Sequence, residues 1–206
     1  RSIDNPLAFV DSNLKGTANV LELVRKHHAR MVHVSTDEVY GHLEKDDPPF
    51  TEESPLAPRS PYSATKAGSD LLVQSYIETF GIDASITRCC NNYGPRQGDE
   101  KLIPIIQVLV TGGEQIYNIP GNRVCNNLDL IEEIIAVIEK HHPEYSRMAQ
   151  GTTGTLHSDY IEFVTDRKGH DFKYQVSTKH SLPAVKDQKK FDLSSTVKYY
   201  VERYTA

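Results

Sequence analysis

Residues 60–88 read SPYSATKAGSDLLVQSYIETFGIDASITR, and this stretch decides the fold. Ser60 suits an N-cap and Pro61 a first helical position, so a helix is predicted from Pro61 to Phe80, closed by Gly81. Asp83 to Arg88 then reads as a strand. Upstream, Met31-Val32-His33-Val34 is a short β-rich run that ends in the polar group Ser35-Thr36-Asp37-Glu38. Earlier still, Asn5-Pro6 opens a helical pattern. Leu7, Val10, Leu14, Ala18, Leu21 and Val24 recur there at spacings of three and four, and basic residues gather from Arg25 to Arg30. The first half therefore runs helix, strand, helix, strand, which favours a doubly wound α/β fold around a parallel sheet. Ligands of such sheets bind beyond the carboxyl ends of the strands. Two polar clusters fall at that edge, Ser35–Glu38 and Cys90–Asn92.

The second half is less regular. A helix is expected over Leu102–Val110, a strand over Gln115–Ile119 and a helix over Leu128–Glu139. His141–Ser158 reads as loop, Phe172–Val176 as a strand and Asp192–Tyr204 as a last helix. With 206 residues, 38% hydrophobic, the chain is long enough to bury a real core. Its 23 Lys+Arg against 28 Asp+Glu leave a net charge of −5 without a basic cluster, which argues against nucleic acid as a partner. No apolar run approaches the roughly 20 residues of a membrane span, and no secretory h-region is visible. The 3 cysteines, Cys89, Cys90 and Cys125, are odd in number and lack zinc-type spacing. Reduced thiols, no metal and a cytoplasmic location are the expectation.

Two local patterns carry chemistry. Tyr62-Ser63-Ala64-Thr65-Lys66 puts a phenol and an ammonium at i and i+4 on one helix face, and the ammonium favours the phenolate. Such a tyrosine can take a proton from a hydroxyl while hydride leaves for a nicotinamide. Many exposed helices carry the same spacing with no such role. Thr36-Asp37-Glu38 sets two carboxylates at a strand end, where unlike environments would let one act as acid and the other as base. A solvated acidic loop would read the same way in isolation.

Taken together, Ser35-Thr36-Asp37-Glu38-Val39-Tyr40-Gly41, Tyr62-Ser63-Ala64-Thr65-Lys66 and Arg88-Cys89-Cys90-Asn91-Asn92-Tyr93-Gly94-Pro95 resemble the nucleotide-sugar 4,6-dehydratases. These belong to the extended short-chain dehydrogenase/reductase superfamily, and the likeness is greatest to its dTDP-glucose branch. Asn13–Thr17, Glu100–Pro104, Tyr117–Ile119, Asn127–Asp129 and Thr165–Asp171 match in family order. The resemblance implies a Rossmann-like NAD-binding domain in residues 1–100. It implies a smaller C-terminal α/β substrate-binding region in 101–206, with interleaved returns to the first. It also implies a lyase that dehydrates a nucleoside-diphosphate glucose, dTDP-glucose foremost, through transient oxidation at C4. Tyr62 would take the 4-hydroxyl proton, with Lys66 supporting the phenolate and the cofactor ribose. Glu38 would remove the C5 proton, Asp37 would protonate the departing C6 hydroxyl, and Thr36 would hydrogen-bond near O4. Ser12, Ser35, Tyr62, Lys66 and Asn92 would lie beside NAD. Thr36, Asn91, Lys101, Leu102, Asn127, Arg167 and His170 would meet the nucleotide sugar. Asn127 equally suits a helix N-cap, and Arg167 and His170 equally suit a surface loop. Relatives pair the helices at 6–30 and 61–80 across a two-fold axis, so a homodimer is implied.

The chain also departs from the family pattern. No Gly-x-x-Gly-x-x-Gly turn is present, a long stretch is missing between Val110 and Gly112, and a third shortening falls near Pro183–Phe191. Trp is absent throughout. Omitted intervening residues, a fragment or a degenerate relative would each account for this, and intact catalytic motifs beside three gaps favour the first. A 4-epimerase or decarboxylase on the same scaffold, or a non-catalytic nucleotide-sugar binder, is the alternative. Retention of both acids argues for dehydration.

Overall fold

A computed structural model of the chain describes residues 1–91, 116–121, 124–141, 163–178 and 193–198. These fall into two compact units. The first holds a three-stranded sheet of β1 (Met31–Thr36), β2 (Ala84–Cys89) and β3 (Ile116–Ile119), in that spatial order. Both pairings are parallel, with Met31 opposite Ala84, Thr36 opposite Cys89 and Ile119 also opposite Cys89. Residues 167–178 belong to this unit as well. The fold is thus α/β with a parallel, Rossmann-like sheet.

The helix that follows the first strand fits its local signals end to end. α3 spans Pro61–Phe80. Ser60 Oγ accepts from the Ser63 N–H at 3.1 Å, and Ser63 Oγ accepts from the Ser60 N–H at 3.0 Å, a reciprocal cap that satisfies two otherwise orphaned donors. Gly81 ends the helix at φ 62°, a left-handed conformation open to glycine without steric strain. The helix buries Val73 against Leu21, Ala84 and Ile86, with Tyr76, Ile77 and Ile116 packed around them. Fully buried Leu21, Val73 and Ile86 each contribute about 1.5–3 kcal/mol.

The amino-terminal helix differs from the simple amphipathic pattern. It comprises α1 (Pro6–Phe9), a π-helical stretch (Val10–Lys15) and α2 (Gly16–His27). The reason lies on α3, some fifty residues away. Asn13 Nδ2 donates to Thr65 Oγ1 at 2.9 Å, and Ser69 Oγ donates to the Asn13 carbonyl at 2.9 Å. Gly68 allows the close approach, since a Cβ there would meet Leu14 Cδ2 at 2.7 Å. α2 ends with Arg25, Lys26 and His27 in its last turn, as expected, and His28 follows left-handed at φ 51°, so only His28 and Arg30 of the basic group lie beyond it.

Other expectations shift in detail. β1 continues through Ser35 and Thr36, which are buried within the strand rather than following it, because parallel pairing with Arg88 and Cys89 extends the ladder. Phe172–Val176 forms no strand. Lys173 and Val176 make single bridges to Leu43 and Phe50, on a segment whose prolines 48, 49, 55 and 58 supply no N–H to extend them. The Leu102–Val110 helix and most of the His141–Ser158 loop lie outside the described residues.

In the second unit, α4 spans Asn127–His141, one residue earlier and two residues later than expected, and Asn126 caps it. Asn126 Oδ1 accepts from the Asp129 N–H at 2.8 Å. Asn127 is the first helical residue and is exposed. Residues 193–198 are helical, and Ser194 Oγ lies 3.4 Å from His141 Nε2. Ser60→Ala removes one half of the α3 cap and should destabilise the protein by about 1 kcal/mol, at most about 2. Urea unfolding followed by circular dichroism reads this as a lowered midpoint at unchanged slope.

Candidate active site

The site grows from the register of β1 and β2. Because Thr36 pairs with Cys89, the two strands end together, and the chain leaves β1 into a 3-10 turn, Asp37–Val39. Thr36 caps that turn: its Oγ1 accepts from the Glu38 N–H at 3.3 Å and donates to Asp37 Oδ1 at 3.3 Å. Asp37 is only 4% exposed, whereas Glu38 is half-buried. The two neighbouring carboxylates therefore occupy unlike surroundings, the condition under which an acid and a base divide their roles.

Cys90, directly after β2, is buried against Asp37. Burial foremost, then the negative charge and hydrogen bonding of Asp37, push its thiol pKa up to about 12. Burial likewise leads in raising the Tyr174 phenol, helped by the charges of Glu38 and Asp171 and opposed by Arg167. Tyr174, on the segment bearing Arg167 and His170, thus feels the charge of Glu38. That segment is fastened by Asp171, which is 3% exposed and 3.4 Å from Arg59 Nη1. Arg167 and His170 themselves are exposed, and the His170 N–H bonds the Arg167 carbonyl at 3.1 Å.

α3 packs on β1, β2 and the 3-10 turn and carries Tyr62 in its first turn. The Tyr62 ring meets Phe9 edge to face at a centroid distance of 6.1 Å. One turn on, Lys66 Nζ donates to the Val34 carbonyl at 2.6 Å. Burial lowers the Lys66 pKa, and Asp70 opposes that effect. Thr36, Asp37, Glu38, Ser35 and Lys66 are thereby gathered at one sheet edge, with Tyr62 on the helix above. Asn91 is exposed just past Cys90, and Ser12 is exposed on the π-helical stretch. Asn127 belongs to the second unit, while Asn92, Lys101 and Leu102 lie outside the described residues.

Sequence reasoning missed Cys90 as a neighbour of Asp37, Tyr174 as a neighbour of Glu38, and Asp70 beneath Lys66. Only the last left a local signal, the extension of Tyr62-x-x-x-Lys66 by a further i+4 step to Asp70.

A parallel sheet ending in a Thr-Asp-Glu turn, with a Tyr-x-x-x-Lys helix packed on it, defines a class that comparison makes specific. The family model described as GDP-mannose 4,6 dehydratase matches residues 1–203, and the chain belongs to that family. The dTDP-glucose 4,6-dehydratase of Mycobacterium tuberculosis (strain ATCC 25618 / H37Rv) is 39% identical over 194 residues, covering 85% of this chain and 59% of the relative. This chain is similar in structure to the dTDP-glucose 4,6-dehydratase of Bacillus anthracis, solved in complex with NAD. Its TM-score is 0.74 and its identity 33%, covering 97% of this chain and 70% of that one. DesIV of Streptomyces venezuelae, a dTDP-glucose 4,6-dehydratase solved with NAD and TYD bound, gives 0.63 and 31%, covering 100% of this chain and 70% of that one. The chain spans about 59% of the M. tuberculosis relative's length.

The thiols give a direct check on the site. A pKa pushed up to about 12 keeps Cys90 protonated at mildly alkaline pH, while Cys125 is exposed. Iodoacetamide should therefore label Cys125 and spare Cys90 in the folded protein, and label all 3 cysteines after denaturation. Peptide mass spectrometry reads the difference.

Proposed function

We propose that this chain carries the catalytic part of an NAD-dependent nucleotide-sugar 4,6-dehydratase acting on a nucleoside-diphosphate glucose, dTDP-glucose foremost. The observation that carries this reading is the pairing of a buried Asp37 with a half-buried Glu38 in one capped turn, beside the helix of Tyr62 and Lys66. Reactions that only oxidise and reduce C4 have no use for two further carboxylates. A dehydration across C5 and C6 needs one to remove a proton and one to give a proton.

NAD suits the residues at this edge in its nicotinamide–ribose half. Lys66 Nζ gives one of its three donors to Val34 and keeps others for ribose hydroxyls. The glycine-rich turn that would cradle a pyrophosphate is not among these 206 residues. When bound, the cofactor supplies the hydride acceptor and later the hydride donor. The chain's own groups do the rest. Tyr62 takes the proton of the sugar 4-hydroxyl, and the Lys66 ammonium stabilises the resulting phenolate. Thr36 hydrogen-bonds O4. Glu38 removes the C5 proton once C4 is a carbonyl, and Asp37 protonates the C6 hydroxyl as it leaves. Ser35, Ser12 and Asn92 complete the cofactor side. Asn91, Lys101, Leu102, Asn127, Arg167 and His170 serve the nucleotide sugar, most of them from a substrate-binding region over 101–206.

The exposed apolar side chains Leu7, Val10, Val20, Leu23, Leu71 and Phe80 on α1, the π-helical stretch, α2 and α3 support a homodimer through these helices. Free thiols at all 3 cysteines accord with a cytoplasmic setting. Sedimentation should give a dimer that Leu71→Glu shifts toward monomer, and a parent that stays monomeric at high concentration overturns this part.

The acid pair is tested by separating half-reactions in the complete enzyme. Glu38→Gln should still reduce NAD with dTDP-glucose, yet exchange no C5 hydrogen with deuterated water. Asp37→Asn should allow oxidation and C5 exchange but release 4-keto-6-deoxy product about 10²–10⁴-fold more slowly. Single-turnover NADH absorbance with mass spectrometry of the sugar follows both steps. Parental product release in both variants would remove the basis for dehydration.

A further inference from the structure

Below the Tyr62–Lys66 turn lies a buried charge cluster that the reaction scheme leaves unused. Asp70 follows Lys66 by one helical turn on α3 and is 0% exposed. Its carboxylate is held from two strands: Arg88 Nε on β2 lies 2.8 Å from Oδ2, and His33 Nε2 on β1 lies 3.4 Å from Oδ1. Arg88 is 2% exposed and donates from Nη1 to Tyr40 OH at 2.9 Å. Tyr40 in turn donates to Asn118 Oδ1 on β3 at 2.7 Å. Burial foremost raises the Tyr40 pKa, so this tyrosine stays a neutral phenol and adds no second negative charge. Around Asp70 the titratable groups are therefore His33 from β1, Arg88 from β2 and Lys66 from its own helix.

A buried ion pair is a weak source of stability, because desolvation offsets most of its attraction, and well-packed apolar side chains often do as well. The placement suggests another use. Lys66 is tied by Nζ to the Val34 carbonyl, the residue after His33, so both α3 side chains are drawn onto the same stretch of β1. A half-buried ammonium in this position tends to lose its proton, and a carboxylate nearby is the simplest remedy.

We infer that Asp70 is a positioning residue for Lys66: one helical turn further along α3 and held beside His33 and Arg88, its fixed negative charge keeps the half-buried ammonium protonated. The inference builds on the proposed role of Lys66 beside Tyr62, but its direct consequence is the charge of Lys66 itself. Asp70 is below the usual carboxylate range despite its burial, through His33, Arg88 and Ser35, and so remains charged wherever the enzyme works.

The test titrates Lys66 in the complete enzyme by trace labelling with acetic anhydride across pH, reading the Lys66 peptide by mass spectrometry. The midpoint reports proton affinity, whereas greater exposure alone changes only the plateau. Asp70→Asn should lower the midpoint; at a fixed pH below it, the free-amine fraction rises about tenfold for every pH unit the midpoint falls. Arg88→Gln removes a like charge and leaves Asp70 to Lys66, so it should raise the midpoint. Asp70→Glu should stay near the parent. Simple loosening of the core would not move the first two variants in opposite directions. An unmoved midpoint in Asp70→Asn overturns the inference. If that variant does not fold, an unmoved or lowered midpoint in Arg88→Gln does so, as does a parent Lys66 already deprotonated at neutral pH. Absence of dehydrated product with the labelling pattern intact would instead count against the proposed reaction alone.

Discussion

The parallel register of β1 and β2 is the constraint on which the rest depends. With Thr36 opposite Cys89, both strands finish at one edge, and everything chemically distinctive lies within a few residues of that edge. The Thr36-capped turn leaves from one strand and Cys90 from the other, so Asp37 and Cys90 become neighbours without either segment coding for the other. A one-residue slip of β1 would turn His33 and Ser35 to the face opposite Arg88 and break their common meeting with Asp70.

The interface between α3 and the sheet changes character along its length. Toward the amino ends of the strands it is apolar, with Val73 against Ala84 and Ile86. Toward their carboxyl ends it is polar, with Thr65, Ser69 and Asp70 buried against Asn13, His33 and Arg88. The apolar end supplies most of the adhesion. The polar end supplies direction, since hydrogen bonds and charges accept only a narrow geometry. Helix placement is thus fixed most sharply where Tyr62 and Lys66 stand.

Legibility in the sequence tracked the range of the interactions. α3 was readable to the residue because Ser60, Pro61 and Gly81 act locally. The strands were readable as runs, yet the buried end of β1 was not, since Ser35 and Thr36 are polar and only their pairing places them inside. The π-helical stretch escaped because its partners, Thr65 and Ser69, lie far along the chain. The α4 cap moved by one residue, as neighbouring asparagines are equivalent in sequence. For the site, Tyr62-x-x-x-Lys66 and Thr36-Asp37-Glu38 were visible as motifs. Tyr174 and Cys90 were not, because nothing in their own surroundings announces a distant carboxylate.

The π-helical stretch has a bearing on how this chain can change in length. Widening the helix between Phe9 and Gly16 sets the rotational phase of α1 relative to α2. Leu21 and Val24 on α2 point into the core, while Phe9 on α1 reaches the Tyr62 ring. Relaxation of Val10–Lys15 to an ordinary α-helix at unchanged length would swing Phe9 by about 100° away from that ring. Loss of one residue together with that relaxation would leave its direction nearly unchanged. Leu21 and Val24 would stay where they are. The irregularity of this helix therefore acts as a spacer that keeps two faces of one rod in step.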